Sequence, residues 1–171
     1  MSETTCPGCG VVLPALGTPA DLRLNASAEC ATVQAEVAGF ELAHLAQLGR
    51  FHQLTVDSYG AQHPGPNPRS IRTAYSLVGL YLGFERGLDG LAVRGAHQRM
   101  GKPAPWWPAF ERPVRLGPVT IRDVAEAGAW AASVSGHAEA MARWGESVWQ
   151  AWSALHPEVR ELSRRLGPYA E

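Results

Sequence analysis

The spacing of apolar positions along the chain predicts helices. After Ser27, a good helix N-cap, a stripe recurs at three- and four-residue intervals. Its members are Val33, Val37, Phe40, His44 and Leu48. We expect this helix to end or bend at Gly49, and a second helix to run from Arg50 to Gln62. The second helix is closed by HPGPNP, whose prolines and glycine cannot continue it.

Four more segments favour helices. Residues 70–87 are apolar on most faces and predict a central buried helix, and residues 88–100 predict a shorter amphipathic one. Thr120 and Asp123 resemble a capping box that opens a short helix, with Asp in place of the usual Glu or Gln. A last helix begins near 135 and carries an apolar stripe, with a break or bend expected at Pro157.

The segment 101–113, GKPAPWWPAFERP, interrupts this pattern with four prolines. We expect an irregular arm there, in which Trp106 and Trp107 cover the helical core or line a ligand cleft. No convincing alternation of period two appears, apart from short ambiguous pieces such as RPVRLGPVTI. The sequence therefore predicts an all-α fold, an irregular bundle of five to six helices in a single domain, 1–171. Within it, 1–26 forms a loop-rich cap and 27–171 the bundle.

Net charge and hydropathy argue against two classes of partner, nucleic acids and membranes. The formal net charge is -1 and the basic residues are scattered, so we expect no nucleic-acid partner. The longest apolar run, AYSLVGLYLGF, is about half of what a bilayer crossing needs, so we expect no membrane partner. The start, MSETTCPGCG, has neither the charge nor the apolar stretch of a secretory signal. These observations favour a cytoplasmic protein.

Three cysteines are the first sharp chemical feature. Cys6 and Cys9 lie in CPGCG, and Cys30 lies at the start of the first predicted helix. An odd number in a cytoplasmic chain favours metal binding or redox chemistry over a disulfide framework. Two alternatives remain open: a redox-active CxxC, although its strand–CxxC–helix context is missing, or cysteines that are only small buried apolar residues.

The segment HQLTVDSYGAQHP offers two histidines as further ligands, eleven positions apart. In one helix their Cα atoms are roughly 16 Å apart, beyond the span of two ligands of one zinc ion. If the first two helices form an antiparallel hairpin, Cys30 and His63 are neighbours and His52 lies at the opposite end. The sequence thus predicts a Zn²⁺ site of the zinc-knuckle type in the cap, with Cys6, Cys9, Cys30 and His63 as ligands. His52 replaces His63 only if the helix bends.

The remaining histidines have less chemical context. His137 shares the apolar stripe of the last helix, so we expect it to face inward with a structural role. His97 and His156 lie at predicted helix ends, where we expect them to be solvated. None of the three is expected to bind the metal.

Four segments together resemble an uncharacterised bacterial family, frequent in actinobacteria and their relatives. They are CPGCG, ASAEC, HQLTVDSYGAQHPG (HxLTVDxYxxQHPG in outline) and ESVWQAW. The family pattern has VDAYAVQHPG where this chain has VDSYGAQHPG, so Gly60 is a departure that loosens the second predicted helix. The resemblance implies a complete single-domain protein of a family without an assigned activity.

Two functions remain open. The first is a zinc-stabilised helical protein that binds a protein partner or a small ligand. The tryptophan-rich last helix offers a surface through which two copies could form a homodimer. The second is a metal-dependent enzyme, a hydrolase or thiol transferase, with an open coordination position and a pocket of His52, Asp57 and Tyr59. No motif identifies catalytic residues or a site for an organic cofactor, so we favour the first function.

Overall fold

A computed structural model describes residues 2–19, 25–100 and 108–167. The predicted all-α class is confirmed, with seven α-helices in those residues rather than five or six. Trp106 and Trp107 lie outside the described residues. In chain order the elements are β1 (Glu3–Thr5), β2 (Val12–Pro14), α1 (Ala28–Ala43), α2 (Leu45–Gln62), α3 (Ile71–Phe84), α4 (Gly90–Arg99), α5 (Ile121–Ala127), α6 (Val134–Ala151), a 3₁₀ turn (Ser153–Leu155) and α7 (His156–Leu166).

The N-terminal cap contains a small antiparallel sheet, which the sequence analysis did not predict. β1 pairs with β2 so that Thr4 lies opposite Leu13, and the CPGCG segment forms the connection. Strands of three residues are too short to show an alternating pattern, which is why the sequence indicated only a loop-rich cap. Cys6, Val11 and Leu13 are buried in the same apolar core as the helices.

The first helical break lies at His44, so the prediction that it lies at Gly49 was wrong. The His44 ring donates from Nδ1 to the carbonyl of Phe40, 2.9 Å away, and competes there with continued helix. Gly49 is instead buried inside α2. The chain reverses at this break. In one straight helix the 33 residues from Cys30 to His63 would span roughly 50 Å, yet the two side chains are in contact.

α2 is the central helix, and it packs against α1, α3, α4 and α6. The largest fully buried side chains are tryptophans of α6 and its C-terminal end. The Trp144 indole donates to Gln62 Oε1 at 2.9 Å, and the Trp152 indole donates to the carbonyl of Ala61 at 3.2 Å. These bonds fix the last turn of α2 in the core, and His63 follows directly after it.

Three further predictions concern the start of α5, the break near Pro157 and the effect of Gly60 on α2. The Thr120 backbone N–H donates to Asp123 Oδ2 at 2.7 Å, which confirms the capping box that opens α5. The last helical region is interrupted at Trp152, and Pro157 lies in the first turn of α7. α2 stays helical through Gly60, where an added Cβ would lie 2.2 Å from Ser76 Oγ, so the glycine lets α3 approach. No described helix is long and apolar enough to cross a bilayer.

Candidate metal centre

The turn between β1 and β2 presents two thiols on one side. The Cys6 backbone N–H donates to the carbonyl of Val11, and the Gly10 N–H donates back to the carbonyl of Cys6, each at 2.9 Å. Gly10 has a φ of +77°, which glycine adopts without the strain of a side chain. This closed turn holds Cys6 and Cys9 as a rigid pair.

Gly8, between the two cysteines, allows the turn to lie against His63. A Cβ added at Gly8 would be 2.2 Å from the carbonyl oxygen of Asn25 and 2.4 Å from Cδ2 of the His63 ring. No side chain fits in that space. The small residues of CPGCG are therefore required by packing as well as by the turn.

Cys30 comes from the first turn of α1. The Ser27 hydroxyl caps the helix by accepting from the Cys30 N–H at 3.2 Å. The Cys30 side chain is fully buried, and its position near a helix N-terminus favours a thiolate.

His63 directly follows α2, and its ring orientation is fixed by two neighbours. Nδ1 lies 2.8 Å from the carbonyl of Tyr59, so it is the donor and leaves Nε2 free to face the cysteines. The Tyr59 and His63 rings pack with centroids 4.0 Å apart. Arg72 donates to the His63 carbonyl at 3.1 Å. A metal-binding histidine commonly has such a hydrogen bond at its other nitrogen.

The four donor atoms of Cys6, Cys9, Cys30 and His63 all lie within 4.8 Å of one another. Cys9 Sγ is 3.8 Å from Cys30 Sγ, and Cys30 Sγ is 3.3 Å from His63 Nε2. A tetrahedral ion with metal–sulfur bonds of about 2.3 Å needs sulfurs about 3.8 Å apart, whereas a disulfide needs about 2.0 Å. The cluster is thus close enough to hold one metal ion, as the sequence predicted.

The ionisation of the thiols in this cluster is coupled. Hydrogen bonds from Cys30 and Cys9 hold the pKa of Cys6 far below its ordinary value. The pKa of Cys30 is raised by its hydrogen bonds with Cys6 and Cys9 and by burial. Ionisation of Cys6 therefore disfavours ionisation of Cys30. A bound metal ion supplies the positive charge that lets all three thiols ionise.

Comparison with known proteins shows to which family the chain belongs. A family model matches residues 4–153, which include all four donors. The chain belongs to DUF5946, a family of unknown function. This confirms the resemblance to an uncharacterised family. No curated protein and no solved structure matches the chain.

In this member of DUF5946, His52 contacts a buried carboxylate that the sequence analysis did not single out. His52 Nδ1 lies 2.7 Å from Glu41 Oε2, and the fully buried His137 lies with Nε2 2.8 Å from Glu41 Oε1. The Thr55 hydroxyl donates to the same carboxylate at 2.5 Å. The only sequence signal for Glu41 is its position four residues after Val37, on the buried side of α1.

Asp57 faces another histidine. Asp57 Oδ1 accepts from Gln53, and Oδ2 lies 3.9 Å from His97 Nε2 without a hydrogen-bond partner. An added Cβ at Gly79 would collide with Asp57, so glycine makes the room for this pair. Burial raises the pKa of Asp57 well above its ordinary value and lowers the pKa of His97 to about 4. His97 and His156 were predicted to be solvated, which is wrong because helix packing covers both.

Tyr59, the third predicted pocket residue, belongs to the metal centre. Its hydroxyl donates to Cys30 Sγ at 3.7 Å, and burial raises its pKa above the ordinary value, so it keeps its proton. His52, Asp57 and Tyr59 therefore contact three different groups: Glu41, the Gln53–His97 pair and Cys30.

Proposed function

We propose that Cys6, Cys9, Cys30 and His63 bind one Zn²⁺, and that the ion has a structural role. Its donor set carries the proposal: three thiols and one imidazole supply four protein ligands, the number that structural zinc sites use. A carboxylate-rich set would favour magnesium or calcium, and thiolates do not suit those ions.

The position of the cluster supports a structural role. In its described residues the cap buries few apolar side chains, chiefly Val11 and Leu13, and it is too small to fold independently. Cys6 and Cys9 belong to the cap, whereas Cys30 and His63 belong to opposite ends of two bundle helices. One ion bound to all four would fasten the cap to the bundle. The protein then acts by binding a protein partner or a small ligand on the surface that this arrangement stabilises.

The enzymatic alternative has less support. A catalytic metal needs a coordination position open to water, and four protein donors leave none in a tetrahedral site. His52 and Asp57 have their contacts elsewhere, and Tyr59 approaches a donor sulfur rather than an open position.

Metal content of purified variants tests the proposal. We expect one zinc per chain in the wild type and a loss of most of it in Cys30→Ser and His63→Ala. His52→Ala is the matched control, because it removes a histidine of the same helix that pairs with Glu41, and it is expected to retain the metal. The assignment would be overturned if the wild type, purified under reducing conditions, contained no metal. It would also be overturned if His63→Ala retained the zinc and His52→Ala lost it.

A further inference from the structure

The four donors differ in their accessibility. Cys6, Cys30 and His63 are at most 1% exposed, whereas Cys9 is partly exposed. Cys9 also lines a groove of about 530 Å³ between the cap turn and the segment 112–118. A reagent in that groove meets the sulfur of Cys9 before any other donor atom.

The lining of the groove has a positive charge. Arg112 and Arg115 contribute two cations, and none of the described residues that line it has an acidic side chain. Arg112 donates to the carbonyls of Pro7 and Gly8, which leaves its charge without a carboxylate partner in those bonds. Arg115 is exposed to solvent. The groove thus combines an accessible sulfur with a preference for anions.

We propose that Cys9 is a redox modification site, at which an anionic disulfide of low molecular weight oxidises the centre and releases the metal. This inference rests on the proposed function, since it needs the zinc-bound centre. Accessible cysteines in positively charged surroundings are the ones that react, whereas buried structural cysteines are inert.

The chemistry is an exchange in two steps. The Cys9 thiolate attacks one sulfur of the disulfide, a new sulfur–sulfur bond forms, and the other half leaves as a thiolate with the electron pair of the broken bond. The Cys30 thiolate, 3.8 Å from Cys9 Sγ, then attacks that sulfur and expels the second half. Cys9 and Cys30 are oxidised by two electrons in total, and the small disulfide is reduced to two thiolates. The ion loses two of its four ligands.

The arginines favour a charged oxidant over an uncharged one. A peroxide would also oxidise an accessible thiolate, but it is uncharged and gains no direct charge contact with Arg112 or Arg115. The carboxylates of an anionic disulfide are attracted to the guanidinium groups of the two arginines. The charge dependence of the rate therefore separates the two classes of oxidant.

The experiment uses the zinc-loaded full chain with two probes, glutathione disulfide and the uncharged bis(2-hydroxyethyl) disulfide. Zinc release is followed with a chromogenic chelator, and the first adduct is located by mass spectrometry. We expect the first adduct on Cys9 and a release at least about threefold faster with the anionic probe. Arg115→Gln should remove most of this preference, whereas Arg143→Gln, an exposed arginine of α6 outside the groove, should retain it.

A first adduct on Cys6 or Cys30, equal rates for the two disulfides, or a preference unchanged in Arg115→Gln would overturn the inference. Each of these results is compatible with a structural zinc ion. Absence of zinc from the starting protein would instead overturn the proposed function, so the two failures are distinguishable.

Discussion

Two buried polar clusters join distant parts of the chain, and their spacings differ. Around Glu41, two imidazoles and a hydroxyl lie 2.5 to 2.8 Å from carboxylate oxygens, at hydrogen-bonding distance. Around Cys30, the neighbouring donor atoms lie 3.3 and 3.8 Å away. The first cluster contains its own proton donors and acceptors. The second has the spacing of ligands around an ion.

This difference in spacing indicates how each cluster contributes to the stability of the fold. The Glu41 carboxylate accepts hydrogen bonds from two imidazoles and a hydroxyl, so its contribution does not depend on anything added to the protein. In the proposed zinc-bound protein, the contribution of the cysteine cluster depends on the ion that its thiolates bind. Four substitutions distinguish the two clusters, and they are ordered here by the size of their effect on stability.

Cys30→Ser should have the largest effect, because it removes a central ligand of the proposed ion. We expect the free energy of unfolding in the presence of zinc to fall by on the order of 5 kcal/mol. Chemical denaturation with and without a chelator measures it. The chelator should destabilise the wild type strongly and the variant very little. Equal sensitivity of the two proteins to the chelator would contradict the account.

Glu41→Gln should cost about 3 kcal/mol, because the amide cannot accept all of the bonds that the buried carboxylate accepts. Its effect should be the same with and without the chelator, which distinguishes this cluster from the cysteines. Glu36→Gln is the matched control, an exposed glutamate of the same helix, and it should cost about 1 kcal/mol or less. A cost for Glu41→Gln that vanishes after metal removal would show that the clusters are not independent.

Asp57→Asn should alter the pH dependence of stability. Because the pKa of Asp57 is raised in the folded protein, the folded state binds a proton that the unfolded state releases above the ordinary value of 3.8. Stability therefore falls with rising pH up to the raised pKa, by at most about 1.4 kcal/mol per pH unit. The lowered pKa of His97, about 4, has the opposite effect below pH 6.5.

Comparison of the two proteins at each pH isolates the contribution of Asp57. Asp57→Asn should gain stability relative to the wild type as the pH rises from 5 to 8. The measurement is urea denaturation across that range. A constant difference between the two proteins would show that Asp57 is not protonated in the folded state within this range.

Arg112→Ala should have the smallest effect, about 1 kcal/mol, because it removes two hydrogen bonds to the cap turn, one exposed and one partly buried. The loss should be larger in the zinc-bound protein, since the proposed ion fastens the cap to the bundle beside these bonds. A double-mutant cycle with Cys30→Ser measures this coupling. Additive effects of the two substitutions would indicate that Arg112 fastens the cap independently of the metal.

The sequence was informative where spacing and donor chemistry agreed. The CxxC spacing, the position of Cys30 at a helix start and the length of the segment before His63 together predicted which four side chains meet. The long apolar periodicities predicted the helical class, because stripes such as that of α6 are visible over many residues. The ligand set and the helical class both follow from local geometry and from the few ways in which two consecutive helices pack.

What the sequence missed depends on tertiary contacts. Glu41 and His97 are polar residues whose burial follows from neighbours far along the chain, such as His137 and Asp57. The break at His44 depends on a hydrogen bond from its own ring, while Gly49 was the stronger local signal. The three-residue strands of the cap give no periodic signal.

X-ray absorption at the zinc edge of the purified protein is the decisive measurement of the proposed ligand set. We expect one zinc per chain with three sulfur ligands at about 2.3 Å and one nitrogen at about 2.0 Å, and loss of the nitrogen contribution in His63→Ala. A shell of oxygen ligands, a count of only two sulfurs, or a spectrum unchanged by His63→Ala would contradict it.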